Sequence, residues 1–122
     1  MLFRSGVQAK NAPFMHSLFY KDTQKNLPDL QSVADGLTGA VERESVTLPM
    51  IKHFVDKIVL VSEDEIAHAM AFAWAEYREK IEGAGAVGLA ALLFGKVKER
   101  PAVVVSSGGN VDPETQIGRA HV

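Results

Sequence analysis

Three short stretches of the 122-residue chain set a polar side chain beside glycine, the combination that a ligand-binding turn needs. Ser106-Ser107-Gly108-Gly109-Asn110 closes an apolar run. Its glycines lack a Cβ, so a flat ligand can lie against the backbone, and a serine hydroxyl beside them donates or accepts one hydrogen bond. Glu82 precedes Gly83-Ala84-Gly85 where two apolar segments join, which would let its carboxylate face a ligand near the same place. Asp35-Gly36, within Ala34-Asp35-Gly36-Leu37, offers another carboxylate at a flexible point. Each stretch also has a plain structural reading: a polar turn leaving a strand, a solvated carboxylate at a helix end, and an Asx turn.

Other chemistries lack their residues. His16, His53, His68 and His121 include no pair at the i, i+4 spacing of a helical metal site, so no metal ligand is assigned. His53 and His68 read as surface or partly buried structural groups. Neither GxxxxGK[ST] nor GxSxG occurs, which removes the P-loop and nucleophile-elbow classes. The absence of cysteine removes disulfides, thiolate catalysis and Cys-based metal sites.

The elements that must position these groups are clearest in the second half. Ile58-Val59-Leu60-Val61 reads as a strand ending in Ser62-Glu63-Asp64-Glu65, a capping box in which Ser62 and Glu65 satisfy each other's backbone N–H groups. Beyond it, Ile66, Met70, Ala73, Tyr77 and Ile81 recur at helical spacing and predict a helix over 63–81. Val87 to Phe94 is apolar almost all round and is expected to be a buried helix stopped at Gly95. Pro101 then opens Ala102-Val103-Val104-Val105, which does not alternate and predicts a strand covered on both faces.

The first half is less regular. Gly6 to Ala9 reads as the end of a strand, Pro13 to Tyr20 as a short helix, and Lys21 to Leu30 as loop. Thr47 to Asp56 reads as a helix with Thr47 as cap and Pro49 in its first turn. Strands alternating with helices make the chain α/β, with too few strands to close a sheet alone.

Composition sets the remaining bounds. Thirteen basic against fifteen acidic residues leave a net charge of −2, without the clustered cations that nucleic acid or an anionic membrane surface requires. The longest small and apolar stretch, 83–95, falls short of the roughly 18 residues that span a bilayer. Neither a nucleic-acid partner nor a membrane is expected, and a reducing cytoplasm is the default setting.

Read together and in order, ADGL at 34–37, VSEDEI at 61–66, EGAGA at 82–86 and SGGNVDPE at 107–114 resemble the threonine/serine dehydratases. These are pyridoxal 5'-phosphate enzymes of the tryptophan synthase β-like fold, with the serine racemases as close relatives. The resemblance spans about residues 6–115. It implies a partial three-layer open parallel sheet with helices, part of a fold-type II domain, with residues 6–116 forming the C-terminal part of its cofactor-holding large domain. By the same resemblance Ser107 would hydrogen-bond the pyridine nitrogen, Gly108 would join it in binding the cofactor, Gly36 would lie against it, and Glu82 would line the pocket near the ring.

A neutral hydroxyl at position 107 suits elimination chemistry. An aspartate there would keep the ring nitrogen protonated and make the ring a strong electron sink, whereas a hydroxyl leaves it weaker, enough where expulsion of a β-hydroxyl relieves the substrate carbon quickly. The implied reaction is loss of water from L-threonine or L-serine, giving a 2-oxo acid and ammonia. The implied setting is cytoplasmic amino-acid metabolism such as isoleucine biosynthesis, in a homo-oligomeric parent.

The departures from the family shape the expectation as much as the matches. The family's Schiff-base lysine, its cofactor-flanking asparagine and its glycine-rich phosphate loop belong upstream of Gly6, and none of the eight lysines here stands at a matching position. No catalytic residue is therefore assigned, and the chain by itself would be inactive. Where relatives that bind a divalent metal carry acidic residues, this sequence has Gln8 and Phe14, leaving only the Ala12 carbonyl. Residues 1–5 and 117–122 resemble translated adapter tails and are expected to be non-native. The alternatives are a racemase or another hydroxy-amino-acid ammonia-lyase, and a non-catalytic interaction module derived from the fold.

Overall fold

Ser62 decides where the longest helix begins. Its hydroxyl accepts the Glu65 N–H at 3.2 Å and the Glu65 carboxylate accepts the Ser62 N–H at 2.8 Å, so two otherwise orphaned donors are satisfied reciprocally. The computed structural model describes residues 2–109. In chain order it contains β1 (Ser5–Ala9), α1 (Phe14–Lys21), a 3₁₀ turn (Asp35–Leu37), α2 (Thr47–Phe54), β2 (Lys57–Val61), α3 (Glu63–Tyr77) and α4 (Gly83–Leu93). Residues 110–122, including the end of the SGGNVDPE block and the expected C-terminal tail, lie outside the described residues.

β1 and β2 pair in parallel, from Ser5 opposite Lys57 to Ala9 opposite Val61. Alternation along the strands separates two faces. Val7, Ala9, Val59 and Val61 join the core built by Ile66, Ala69, Met70 and Ala73 of α3 and Ala86, Val87, Ala90 and Ala91 of α4. Gly6 and Ile58 face the other way, toward Val55 and the short helices. There the Tyr20 hydroxyl of α1 accepts the Ile58 N–H at 3.0 Å, covering the outer edge of β2. The result is a mixed α/β arrangement, a parallel sheet between helical layers. No helix among the described residues is long and apolar enough to cross a membrane.

Several boundaries differ from the sequence expectation, each for a local reason. α3 ends at Tyr77, four residues before the expected 81, because Arg78 adopts a left-handed conformation at φ 53° and its N–H bonds the Trp74 carbonyl. Tyr77, expected on the buried stripe, is 67% exposed, while Ile81 reaches the core from the following turn. α4 starts at Gly83, earlier than Val87, and closes as expected at Gly95, where the Lys96 and Gly95 N–H groups bond the Ala91 and Leu92 carbonyls. α2 has Val46 at its cap position, the Ser45 hydroxyl accepting the Thr47 N–H, and ends at Phe54 because Asp56 is drawn to the Arg4 carbonyl beside β1.

The largest correction concerns 102–105. These residues form no ladder with any described strand, and Val103 and Val105 are 96% and 81% exposed. A strand covered on both faces needs a neighbour along its edges and a layer on each side. The described residues supply only α4, whose Gly88 sits under Val104, a Cβ there lying 3.2 Å from the valine methyl.

The Ser62 cap yields the first prediction. In the natural full-length protein that contains these residues, Ser62→Ala is expected to lower the unfolding free energy by about 1 kcal/mol in a denaturant titration. Burial raises the Glu65 carboxyl, but the Ser62 bonds and the positive charge of Lys96 outweigh it and hold the group below its ordinary value of 4.5. Its contribution is therefore complete above about pH 4.5 and fades as pH falls through the lower folded value. Glu65→Gln should flatten that part of the acid limb, and an unchanged limb would contradict the assignment.

Candidate functional site

The first turn of α4 is paved with glycine because two other backbone segments press against it. A Cβ on Gly83 would collide with the Val33 carbonyl oxygen and lie 2.9 Å from the Ala34 nitrogen. A Cβ on Gly85 would collide with the Ser107 carbonyl oxygen and lie 2.7 Å from its carbon. The helix thus locks the 33–34 and 107–108 segments together at its N-terminal end. Glu82 stands at the cap position in extended geometry, its side chain making no capping bond, and its N–H donates to the Gly108 carbonyl at 2.6 Å. Gly108 has φ +76°, and its missing Cβ leaves the space that the Glu82 carboxylate fills.

The 33–34 side carries the remaining candidate. Ala34 is fully buried, its carbonyl accepts the Leu37 N–H at 2.9 Å, and the 3₁₀ turn that follows brings Gly36 against α4, where a Cβ would lie 3.5 Å from that of Ala84. The turn is not closed by an Asx bond. The Asp35 backbone carbonyl accepts both the Thr38 N–H and the Thr38 hydroxyl, the latter at 2.8 Å. Gly36, Glu82, Ser107 and Gly108, far apart in sequence, are therefore gathered around one helix end, with Gly36 and Ser107 exposed. Ser107, expected where a buried strand gives out, follows a mostly exposed segment that forms no strand.

Two open clefts border the 29–41 loop, and neither is lined by Glu82, Ser107 or Gly108. One, of about 410 Å³, runs from Gly36 along Leu37 to Val41 and reaches β1 and α2. The other, of about 660 Å³, is bordered by Ser32, Val33, Asp35, Thr38 and Glu63. Neither the Ser107 hydroxyl nor the Glu82 carboxylate bonds a described residue. A neutral donor, an acceptor and the exposed bare backbone of Gly36 suit one edge and one face of a flat heteroaromatic ring. None of the four residues is cationic, so the set fits the ring of pyridoxal phosphate and leaves its phosphate to other groups.

Residues 4–108 match the family model described as pyridoxal-phosphate dependent enzyme. The chain belongs to that family. In sequence it is 40% identical over 112 residues to the catabolic L-threonine dehydratase TdcB of Staphylococcus aureus strain N315, an alignment covering 88% of this chain and 32% of the relative. In structure it is similar to a threonine deaminase from T.th., with TM-score 0.77 and 27% identity over 90% of this chain and 40% of that one. It is also similar to serine racemase from Dictyostelium discoideum, with TM-score 0.75 and 33% identity over 91% and 36% of the two chains. The chain spans about a third of the length of the curated relatives it matches.

Within this pyridoxal-phosphate family member, Gln8, Ala12 and Phe14 do other work. The Gln8 side-chain oxygen accepts the His16 N–H at 2.9 Å, fastening α1 to β1, and Ala12 and Phe14 are buried. Among the described residues no group of three or more His, Asp or Glu side chains is placed to hold a metal ion. His53 and His68 are exposed; His68 packs edge-on against Phe94 with ring centroids 5.4 Å apart.

Two features were missed by reading residues alone. Gly83-Ala84-Gly85-Ala86-Val87-Gly88 has the spacing GxGxxG, which flags close backbone approach at a helix start. Here a turn after α3 precedes it rather than a strand, and its glycines receive protein backbone at Val33 and Ser107, so the spacing serves packing. The second is Glu63, which accepts from both Ser32 and Val33 and carried no signal beyond its place in the cap.

The close approach predicts the sign of a substitution. Alanine would gain up to about 1 kcal/mol of helix propensity over glycine at position 85, against roughly 1–3 kcal/mol for forcing a methyl into occupied space. Gly85→Ala should therefore lower the thermal midpoint, and a neutral or raised midpoint would contradict the packing at Ser107.

Proposed function

We propose that the chain is a segment of a pyridoxal-phosphate dependent hydroxy-amino-acid dehydratase that converts L-threonine, or L-serine, to a 2-oxo acid and ammonia, and that the segment alone is inactive. The observation that carries this reading is the meeting of Ser107, Gly108, Glu82 and Gly36 at the start of α4 in a chain of this family. The threonine dehydratase and threonine deaminase among its relatives support the reaction class.

In this reading Ser107 donates its hydroxyl proton toward the ring nitrogen and leaves that nitrogen uncharged. Gly36 presents exposed bare backbone against which the ring lies flat, and Gly108, whose Cβ side Glu82 occupies, joins it through its backbone. Glu82 fills the space beside Gly108 and fixes the turn that presents Ser107. When bound, the cofactor supplies the electron withdrawal that lets a β-hydroxyl leave. A lysine to anchor the cofactor and a phosphate-binding loop would come from the part of the parent that this chain does not span. That part would also pair with 102–105 and cover Val103 and Val105. Such exposed valines disfavour a self-sufficient interaction module.

Serine racemisation is the second reading, favoured by the similarity to the Dictyostelium enzyme. A catabolic role follows the name of the Staphylococcus relatives more closely than isoleucine biosynthesis does. The cytoplasmic setting and the homo-oligomeric parent are proposed on the resemblance.

The test is expression of the natural full-length protein that contains this segment. It should bind pyridoxal phosphate and release 2-oxobutanoate from L-threonine, while the 122-residue chain releases none. Ser107→Ala in that protein should weaken cofactor binding roughly two- to tenfold, the worth of one hydrogen bond. A parent that racemises serine without eliminating water would favour the second reading, and one that ignores the cofactor would overturn both.

A further inference from the structure

Glu63 lies outside the four candidate residues and opens α3 on the far side of the 32–37 loop. We infer that it is a positioning residue for the site: its carboxylate clamps the 32–34 backbone, and through it sets where Gly36 stands against the start of α4. Both carboxylate oxygens are engaged. Oε1 accepts the Val33 N–H at 2.7 Å and Oε2 accepts the Ser32 hydroxyl at 2.6 Å, while the same hydroxyl accepts the Ala34 N–H at 3.0 Å. Three consecutive residues of an otherwise irregular loop are thereby tied to one helix terminus. Placing a carboxylate there is favourable on its own account, because the first turn of a helix presents unpaired N–H groups and positive potential.

The clamp sits directly upstream of the close approach. The Val33 carbonyl, one peptide unit from the N–H that Glu63 holds, is the group pressed onto Gly83, and the Ala34 carbonyl accepts the Leu37 N–H that closes the turn carrying Gly36. Hydrogen bonds of this kind fix position along the backbone. The side chains of Ser32 and Val33 are only partly buried, so on the N-terminal side of the buried Ala34 these bonds are what fixes the loop's position. α3 starts at the Ser62 cap directly after β2 and buries Ile66, Ala69, Met70 and Ala73 in the core, so Glu63 ties the loop to a well-packed element. The same residue borders the polar cleft of about 660 Å³, one wall of which is this loop.

This inference rests on the reading of Gly36 and Ser107 as a cofactor-facing surface, and its test separates the two. In the full-length protein, Glu63→Ala should speed amide exchange at Val33 and Ala34 at least tenfold and leave exchange in the middle of α3 within about twofold. Glu63→Gln should restore protection, because the amide oxygen still accepts the Val33 N–H and its NH₂ can donate to the Ser32 hydroxyl. Unchanged exchange at Val33 and Ala34 in Glu63→Ala would overturn the clamp.

In the full-length protein, Glu63→Ala should weaken pyridoxal phosphate binding several-fold and shift the absorbance of the bound cofactor, with Glu63→Gln close to wild type. If Ser107→Ala weakens binding and Glu63→Ala does not, the positioning role is overturned and the site reading stands. If neither variant changes binding while the exchange result holds, the site reading fails and takes the positioning role with it. If Glu63→Ala weakens binding only in proportion to a fall in stability that Glu63→Gln shares, the residue is a structural cap and the inference is overturned.

Discussion

Backbone pressed on backbone at the first turn of α4 is the constraint on which the arrangement depends. Two segments distant in sequence, 33–34 and 107–108, reach the same helix end because Gly83 and Gly85 offer no side chain to keep them away. The cost is entropic, since glycine loses more freedom on folding than any other residue and is a poor helix former. It is offset by the rest of the helix, where Ala86, Val87, Ala90 and Ala91 are buried against α3 and the strands. One face of α4 therefore binds the core while its N-terminal end draws the 33–34 and 107–108 backbone together. The same glycines leave the Glu82 carboxylate and the Ser107 hydroxyl as the polar groups at the junction.

The sheet explains why this helix is placed where it is, and why the described residues leave apolar groups uncovered. The parallel pairing of β1 with β2 sends each following segment back across the sheet, and the outer edge of β2 is closed by Tyr20. No described strand pairs with 102–105, which lies beside α4. Val103 and Val105 stand nearly free in solvent, and Leu93 and Phe94 at the end of α4 are also exposed. On the proposed reading these apolar groups are an interior face of a larger domain. The share of the relatives that the chain spans, about a third, agrees with that reading.

Much of the fold was legible in the sequence where local chemistry decides it. The Ser62 and Glu65 pair, the Gly95 stop and the β-branched run before Ser62 are short-range signals and appear in the structure within a residue. Periodicity was less reliable at its ends. It carried α3 through Tyr77 to Ile81, because nothing local marks Arg78 as a left-handed residue and Ile81 regains the core by another route. The run at 102–105 shows the opposite limit: strand propensity was plain, but a strand exists only with a partner, and pairing is not a property of four residues. At the site, Ser107, Gly36 and Glu82 were visible as residue types beside glycine. Their juxtaposition was expected only from the family that the four blocks resemble; the α4 packing and the Glu63 bonds that produce it here are announced by no local motif.

The central claim is that the hydroxyl of Ser107 meets the ring nitrogen of pyridoxal phosphate at the start of α4. The most direct measurement is the nuclear magnetic resonance shift of cofactor labelled at that nitrogen, bound to the full-length protein and to its Ser107→Ala variant. The expected result is an unprotonated nitrogen that accepts a hydrogen bond, with a shift that moves toward that of the free, unbonded base when the hydroxyl is removed. A protonated nitrogen, or one whose shift is the same in both proteins, would contradict it.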